Sequence, residues 1–191
     1  MPAPPGNQPF IRRRSDVTTH PLRPTNPADA LVWDTAASVP DPEIPVVSIA
    51  DLGILRDAAI IDGTAVVTIT PTYSGCPAMD HITREVTEAL EAAGYESARV
   101  DLVLQPAWTT DWITDLGRDQ LREYGIAPPT HSSRPTRQGP IPLTLAPPPP
   151  VPCPRCGSTR TRNIAQFGST SCKALYSCED CLEPFDYFKV H

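Results

Sequence analysis

Proline placement constrains this chain most. Of its 25 prolines, 7 fall in residues 1–28 and 10 in residues 127–152, which leaves 8 for everything else. Proline fixes φ, donates no backbone N–H and pushes the preceding residue out of the helical region. Neither dense stretch can therefore be a continuous helix or a central strand. The chain divides into a Pro-rich arm (1–28), a first module (29–126), a Pro-rich linker (127–152) and a cysteine-bearing tail (153–191). The arm is polar and aperiodic and is expected to be disordered. The linker, with prolines at 147–150, is expected to be extended and semi-rigid. It should permit relative motion between the two modules.

Charge narrows the function classes. Residues 29–126 carry 17 Asp and Glu against 5 Lys and Arg, a net of −12 within a chain of net −6. Such a surface repels phosphate backbones, which argues against nucleic-acid binding by this module. The Arg12–Arg14 run reads as a solubilising tail, with contact to an acidic partner as the other reading. No apolar run is long enough to span a membrane, and no apolar core follows the N-terminal arginines as in an export signal. The expected compartment is the cytoplasm. There thiols stay reduced, so clustered cysteines suggest metal before disulfides.

Periodicity gives the first module an α-β-β-α-β-α order, a small α+β layer sandwich. A short helix from residue 29 sets Leu31, Val32 and Ala36 on one side. Pro40, Pro42 and Pro45 then impose an extended loop flanked by Asp41, Glu43 and Asp51. Asp62-Gly63 is a hairpin turn between two β-rich runs. A helix from Pro77 to about Ala93 spaces Met79, Ile82, Val86 and Leu90 at helical intervals, with Gly94 at its end. A third strand (98–104) and a last helix ending at Gly125 complete the module.

The tail reads as a metal ribbon. Cys153 and Cys156 form one C-x2-C, Cys178 and Cys181 another, separated by 21 residues. Two such knuckles complete a tetrahedral four-sulfur site. Zinc and an iron–sulfur cluster both accept four cysteines. The knuckle-hairpin-knuckle layout favours structural zinc, because so small a segment needs metal to fold. Cys172 is spare: an alternative ligand, a free thiol or a small semi-buried residue. Phe185, Tyr187 and Phe188 read as packing for the ribbon sheet.

One thiol stands apart. Residues 70–82 read TPTYSGCPAMDHI, placing Cys76 at the start of the second helix, after Gly75 and before Pro77. A helix N-terminus offers free N–H groups and partial positive charge, which lower a thiol's pKa and raise its metal affinity. The alternative is a small buried residue at a tight turn. A nucleophile would need a base, and His81 is the module's single histidine. No phosphate-binding loop, dinucleotide fingerprint, nucleophile elbow or H-E-x-x-H is present. The paired Glu and Glu-x-x-His helices of a di-iron site are also missing.

The stretches DPEIPVVSIADLGIL and TPTYSGCPAMDHI resemble the domain of unknown function 59, found in SufT-like and cytosolic iron–sulfur assembly proteins. With PAWTTDWITDLGRDQLREYGIAPP and the tail motifs CPRCGS, FGSTSCKALYSC and EPFDYFK, the chain more narrowly resembles the PaaD (PaaJ) family. These are accessory proteins of phenylacetyl-CoA epoxygenase systems. The resemblance spans residues 31–129 and 153–189. It implies a non-catalytic role beside a di-iron oxygenase subunit and a flavin and iron–sulfur reductase, helping to mature an iron or iron–sulfur centre. Implied partners are the oxygenase and reductase subunits and an iron–sulfur client, with no nucleic acid and no membrane. A purely structural bridge between oxygenase and reductase is the alternative.

The resemblance also implies that Cys76 is the functional thiol, transiently holding iron or a cluster. Asp41, Glu43 and Asp51 match the family's acidic loop, either lining that site or stabilising turns. Cys172 is a candidate extra ligand. One thiol cannot retain a cluster tightly. A homodimer with two Cys76 ligands, or a thiol lent by the ribbon, would supply the second.

Overall fold

The computed structural model describes residues 19–129 and 150–190. Expectations for the arm up to residue 18 and for linker residues 130–149 lie outside the described residues.

Helix α1 spans Pro27–Ala37 and is capped by Asn26, whose side-chain oxygen accepts from the Ala28 N–H at 2.9 Å. An Asn cap followed by Pro at the first helical position is a strong start signal. It begins the helix inside the segment that proline content alone assigned to the arm. Arg23 grips Asp34 through two hydrogen bonds of 2.7 and 2.8 Å, and His20 lies 5.1 Å from the Trp33 ring, so residues 20–26 are fastened to α1. The buried face of α1 is Ala30, Val32, Trp33, Ala36 and Ala37. Leu31, expected on the inner side, is 61 % exposed. Trp33 is the largest apolar side chain on this helix, and burying it decides which side faces inward.

Strands β1 (Leu55–Ile61) and β2 (Thr64–Ile69) form the expected hairpin. Its turn residues, Asp62 (φ 50°) and Gly63 (φ 79°), both take the positive φ of a primed turn. Helix α2 (Ala78–Ala92) buries Met79, Ile82, Val86 and Leu90 and leads into β3 (Ala98–Leu102), which pairs parallel to β2. The sheet order is β1-β2-β3, and α1 and α2 pack on each other and on the sheet. The expected α-β-β-α-β-α order is completed by α3 (Asp115–Tyr124). Thr114 caps α3 by accepting from the Gly117 N–H at 3.0 Å, and Gly125 ends it at φ 98°.

The proline loop between α1 and β1 is itself core. Ile44, Val47, Ile49 and Leu52 are at most 1 % exposed. Asp41 folds the loop: its Oδ1 accepts from the N–H groups of Glu43 (2.9 Å) and Ile44 (2.8 Å), while its own N–H donates to the Val47 carbonyl (2.9 Å). An Asx turn suits a segment in which proline forbids helix.

A second sheet has the order β4-β7-β6-β5, from Ile126–Ala127 (β4), Thr161–Ala165 (β5), Lys173–Cys178 (β6) and Pro184–Phe188 (β7). β5, β6 and β7 run antiparallel, and β4 joins β7 in parallel. The end of the first module is thus a strand of the ribbon sheet. Ala127 and Val151, near the two ends of the linker, share a small core with Cys153, Cys178 and Phe185. Cys172 and Phe188 of the tail belong to the main core. Phe188, 1 % exposed, stands 6.0 Å from Trp108, whose indole N–H donates to the Leu52 carbonyl at 3.0 Å. Burying a residue of this size contributes about 1.5–3 kcal/mol. The independent motion expected of the two modules gives way to one packed body. The reason is that β4 and Phe188 cross the boundary: Phe188, expected to pack the ribbon sheet with Phe185 and Tyr187, enters the main core instead.

Candidate functional site

The structure contains two cysteine centres of different kinds. In the first, the two knuckles face each other. Gly157 takes φ 74° and donates its N–H to the Cys153 carbonyl at 2.9 Å, closing the first turn. Leu182 holds the equivalent place after the second knuckle at φ 63°, a conformation that costs a residue with a Cβ roughly 1–2 kcal/mol. Ser158 and Arg160 of the first knuckle both bond Asp180 of the second. The Sγ atoms of Cys153 and Cys181 are 3.8 Å apart, those of Cys156 and Cys178 are 3.6 Å apart, and all four lie within 4.8 Å of one another. Bonds of ~2.3 Å in a tetrahedron place zinc-bound sulfurs about 3.8 Å apart. The residues fit one zinc ion held by four thiolates.

The second centre surrounds Cys76. Gly75 (φ 82°) turns the chain so that the Cys76 N–H donates to the Tyr73 carbonyl at 3.2 Å. Pro77, already helical in backbone, is the residue before α2, so Cys76 stands one position earlier than a cap. The Ala78 N–H nevertheless favours its thiolate. Of the two readings of its position, an activated thiolate or a small buried residue at a tight turn, the direction of the thiol's pKa favours the second. Burial raises the thiol's pKa first. The Ala78 N–H and the Tyr73 hydroxyl oppose it, and the carboxylates of Glu43 and Asp41 add to the rise. Half-burial beside two acids outweighs the helix terminus.

The acidic loop divides. The carboxylates of Asp41 and Glu43 act on Cys76 electrostatically. Burial also raises the Asp41 carboxyl, against the pull of the Ile44 and Glu43 N–H groups. Asp51 points elsewhere: it accepts from the Ser48 hydroxyl (2.7 Å) and the Thr114 hydroxyl (2.8 Å), bolting the loop to the start of α3. Gly117 is required at that contact, since a Cβ there would sit 2.7 Å from the Asp51 carbonyl oxygen. His81 is exposed on α2, 3.6 Å from Glu85 and 2.6 Å from Arg84.

Cys172 is not part of the four-sulfur group. It is 4 % exposed, with its Sγ 3.0 Å from the Thr170 hydroxyl and donating to Glu43 Oε2 at 3.9 Å. Burial raises its pKa, and Glu43 and Asp41 raise it further. Tyr73 and Cys76 both pack against the core cluster that contains Cys172, and burial raises the Tyr73 hydroxyl's pKa, with Cys76 adding to the rise and Ser171 opposing it. Lys173, 4 % exposed, has its ammonium 4.0 Å from Asp186 and lowers the Asp41 carboxyl. The structure therefore gathers Asp41, Glu43, Cys76 and Cys172 and sets Asp51 apart. Tyr73, Ser171 and Lys173 escaped sequence reasoning, although each lies within three residues of a cysteine already singled out.

Comparison with known proteins defines the class first. Residues 29–102 match the family described as iron–sulfur cluster assembly protein, and residues 137–189 match the PaaD zinc beta ribbon domain. An assembly-type domain carrying a zinc ribbon is the class that this fold and these cysteines define. The chain is 48 % identical over 158 residues to an Escherichia coli protein named as one of the subunits of a "Putative 1,2-phenylacetyl-CoA epoxidase", covering 83 % of this chain and 90 % of that one. It belongs to that PaaD family of epoxidase subunits. It is also 36 % identical over 80 residues to a Porphyromonas gingivalis "Fe-S protein maturation auxiliary factor", covering 41 % of this chain and 75 % of that one. Among solved structures it is similar to a DUF59 domain from Bacillus anthracis, at 26 % identity and a TM-score of 0.45, covering 49 % of this chain and 90 % of that one. No helix among the described residues is long and apolar enough to cross a membrane.

Proposed function

We propose that the chain is a cytoplasmic accessory factor of a 1,2-phenylacetyl-CoA epoxidase complex that carries iron or an iron–sulfur cluster transiently on Cys76. Its client would be a metal centre of the oxygenase or of its reductase. The observation that carries this reading is the half-buried Cys76 thiol beside Tyr73, Glu43 and Asp41, within a domain of the iron–sulfur assembly type. A thiol kept protonated when empty and flanked by carboxylates suits a cation that arrives and leaves. The reading is non-catalytic. His81 pairs with Glu85 and Arg84, which does not support a nucleophile and base at Cys76.

Cys153, Cys156, Cys178 and Cys181 would hold zinc, whose part is to fold the ribbon rather than to react. The names of the two relatives support the wider assignment, one to the epoxidase and one to iron–sulfur maturation.

The test is complementation. In cells lacking this chain, a Cys76→Ala copy should leave epoxidase activity and the cluster content of the reductase well below those restored by wild type. Normal activity and normal client metal with Cys76→Ala would defeat the proposal. Stable, stoichiometric co-purification with the oxygenase in that outcome would turn the reading to a structural bridge.

A further inference from the structure

We infer that Cys172 is the second protein ligand to the cargo held by Cys76, with the Glu43 carboxylate beside both thiols, so that a single chain builds the carrier site from its two modules. The inference rests on the proposal that Cys76 is the carrying thiol, and it names the missing partner.

Three observations converge. Cys172 is free of the four-sulfur zinc set, yet it is buried in the main core rather than in the ribbon's own. Glu43 belongs to the first module's proline loop, and its carboxylate receives the Cys172 thiol across 129 positions of sequence at 3.9 Å. The same carboxylate acts on Cys76. Tyr73 and Cys76 pack against the same core cluster in which Cys172 is buried, and Tyr73 is influenced by both Cys76 and Ser171, the immediate neighbour of Cys172. One loop of each module therefore meets at a common point. That point holds two thiols and a carboxylate, a donor set for thiophilic iron.

Spacing selects the cargo. Among the described residues only the four ribbon cysteines close to single-ion distances. Cys76, Glu43 and Cys172 form no such closed group, so one mononuclear ion would not satisfy them together. A polynuclear iron–sulfur core, which presents separate iron atoms to separate thiolates, fits an open pair. Buried Lys173, which acts on both Asp41 and Cys172, offsets the negative charge that two thiolates would bring. Loading is a ligand exchange without change of oxidation state. Two small-molecule thiolates leave the incoming cluster, each taking the proton of the cysteine that replaces it.

The experiment uses the full chain, loaded without oxygen from ferric iron, sulfide and dithiothreitol. Iron, acid-labile sulfide and zinc per chain are measured with molecular mass, in wild type, Cys76→Ser, Cys172→Ser and Glu43→Gln. The expected result is a cluster on monomeric wild type. Each cysteine variant should fall to roughly a tenth of its iron and sulfide or less while keeping its zinc, and Glu43→Gln should lose cluster to a chelator about tenfold more readily. In unloaded wild type a short bis-alkylating reagent should join Cys76 to Cys172, and loading should block it. That measurement decides the matter if Cys172→Ser also loses zinc. Wild-type cluster content in Cys172→Ser, a cluster present only in dimers, or a cross-link indifferent to loading would overturn the composite site and leave the carrier role of Cys76 standing. A wild type that takes up no iron and sulfide would overturn both.

Discussion

The ribbon knuckles and the Cys76 centre both rely on sulfur, but they solve opposite problems. The ribbon brings four thiols to the spacing of a single tetrahedral ion and ties its turns together through Asp180. Its donors are complete, and a metal held so has no open position. Around Cys76 the thiols are few, the carboxylates are close and the pKa is raised. On the proposed function, ligand number separates a centre that keeps its metal from one that releases it.

Removing zinc should break the comparison most severely. A Cys153→Ala/Cys156→Ala double variant should lose its zinc and the folded signals of β5, β6 and β7, since binding of a structural zinc supplies ~10–16 kcal/mol of folding free energy. Metal analysis and amide NMR would show this. Because β4, Cys172 and Phe188 join the two regions, the first module's thermal transition should also fall. An unchanged transition would mean that the regions are energetically separate.

Phe188→Ala tests that junction with the zinc left in place. The side chain is 1 % exposed against Trp108, and its truncation should cost about 3–5 kcal/mol in denaturant unfolding.

A smaller effect is expected at Asp41. Asp41→Ala removes the acceptor of two backbone N–H groups and should cost roughly 2 kcal/mol. Asp41→Asn keeps an acceptor and discards a desolvated charge. Burial holds the Asp41 carboxyl above its usual value, so the folded state keeps that proton to higher pH than the unfolded chain does. The residue's contribution is full below the unfolded value and shrinks as pH rises through the folded one. Asp41→Asn should therefore equal or exceed wild type at neutral pH and lose that advantage in acid, as read by melting temperature against pH.

The smallest effect concerns Cys76 itself. Its thiol should alkylate more slowly at neutral pH than a free cysteine. Glu43→Gln should speed the reaction by about two- to fivefold, because removing the carboxylate lowers the thiol's pKa. A slower Glu43→Gln variant would place the carboxylate's influence elsewhere.

Local features were legible in the sequence and distant ones were not. The C-x2-C pairs encode their own geometry, the Asp62-Gly63 turn its hairpin, and the spacing of Ile82, Val86 and Leu90 the inner face of α2. The short α1 gave a weaker pattern, and Trp33 rather than Leu31 set its orientation. β4 is only two residues long, too short to show any period. The meeting of Glu43 with Cys172 spans most of the chain and leaves no local trace. The sign of the Cys76 shift depends on burial and on neighbours that only the folded chain supplies, so a helix-terminus argument alone gave the opposite direction.

The shared core of Ala127 and Val151 has one more consequence. Ala127 and Val151 are in one small cluster, so the chain between them joins two points that already share a core. Closure entropy grows only logarithmically with length, and doubling such a loop costs about 0.6 kcal/mol. Insertions there should be cheap, whereas a cut should not. Severing the loop would turn an intramolecular contact into an association of two fragments. The linker's contribution would then be an effective concentration, the quantity that keeps Cys172 facing Glu43.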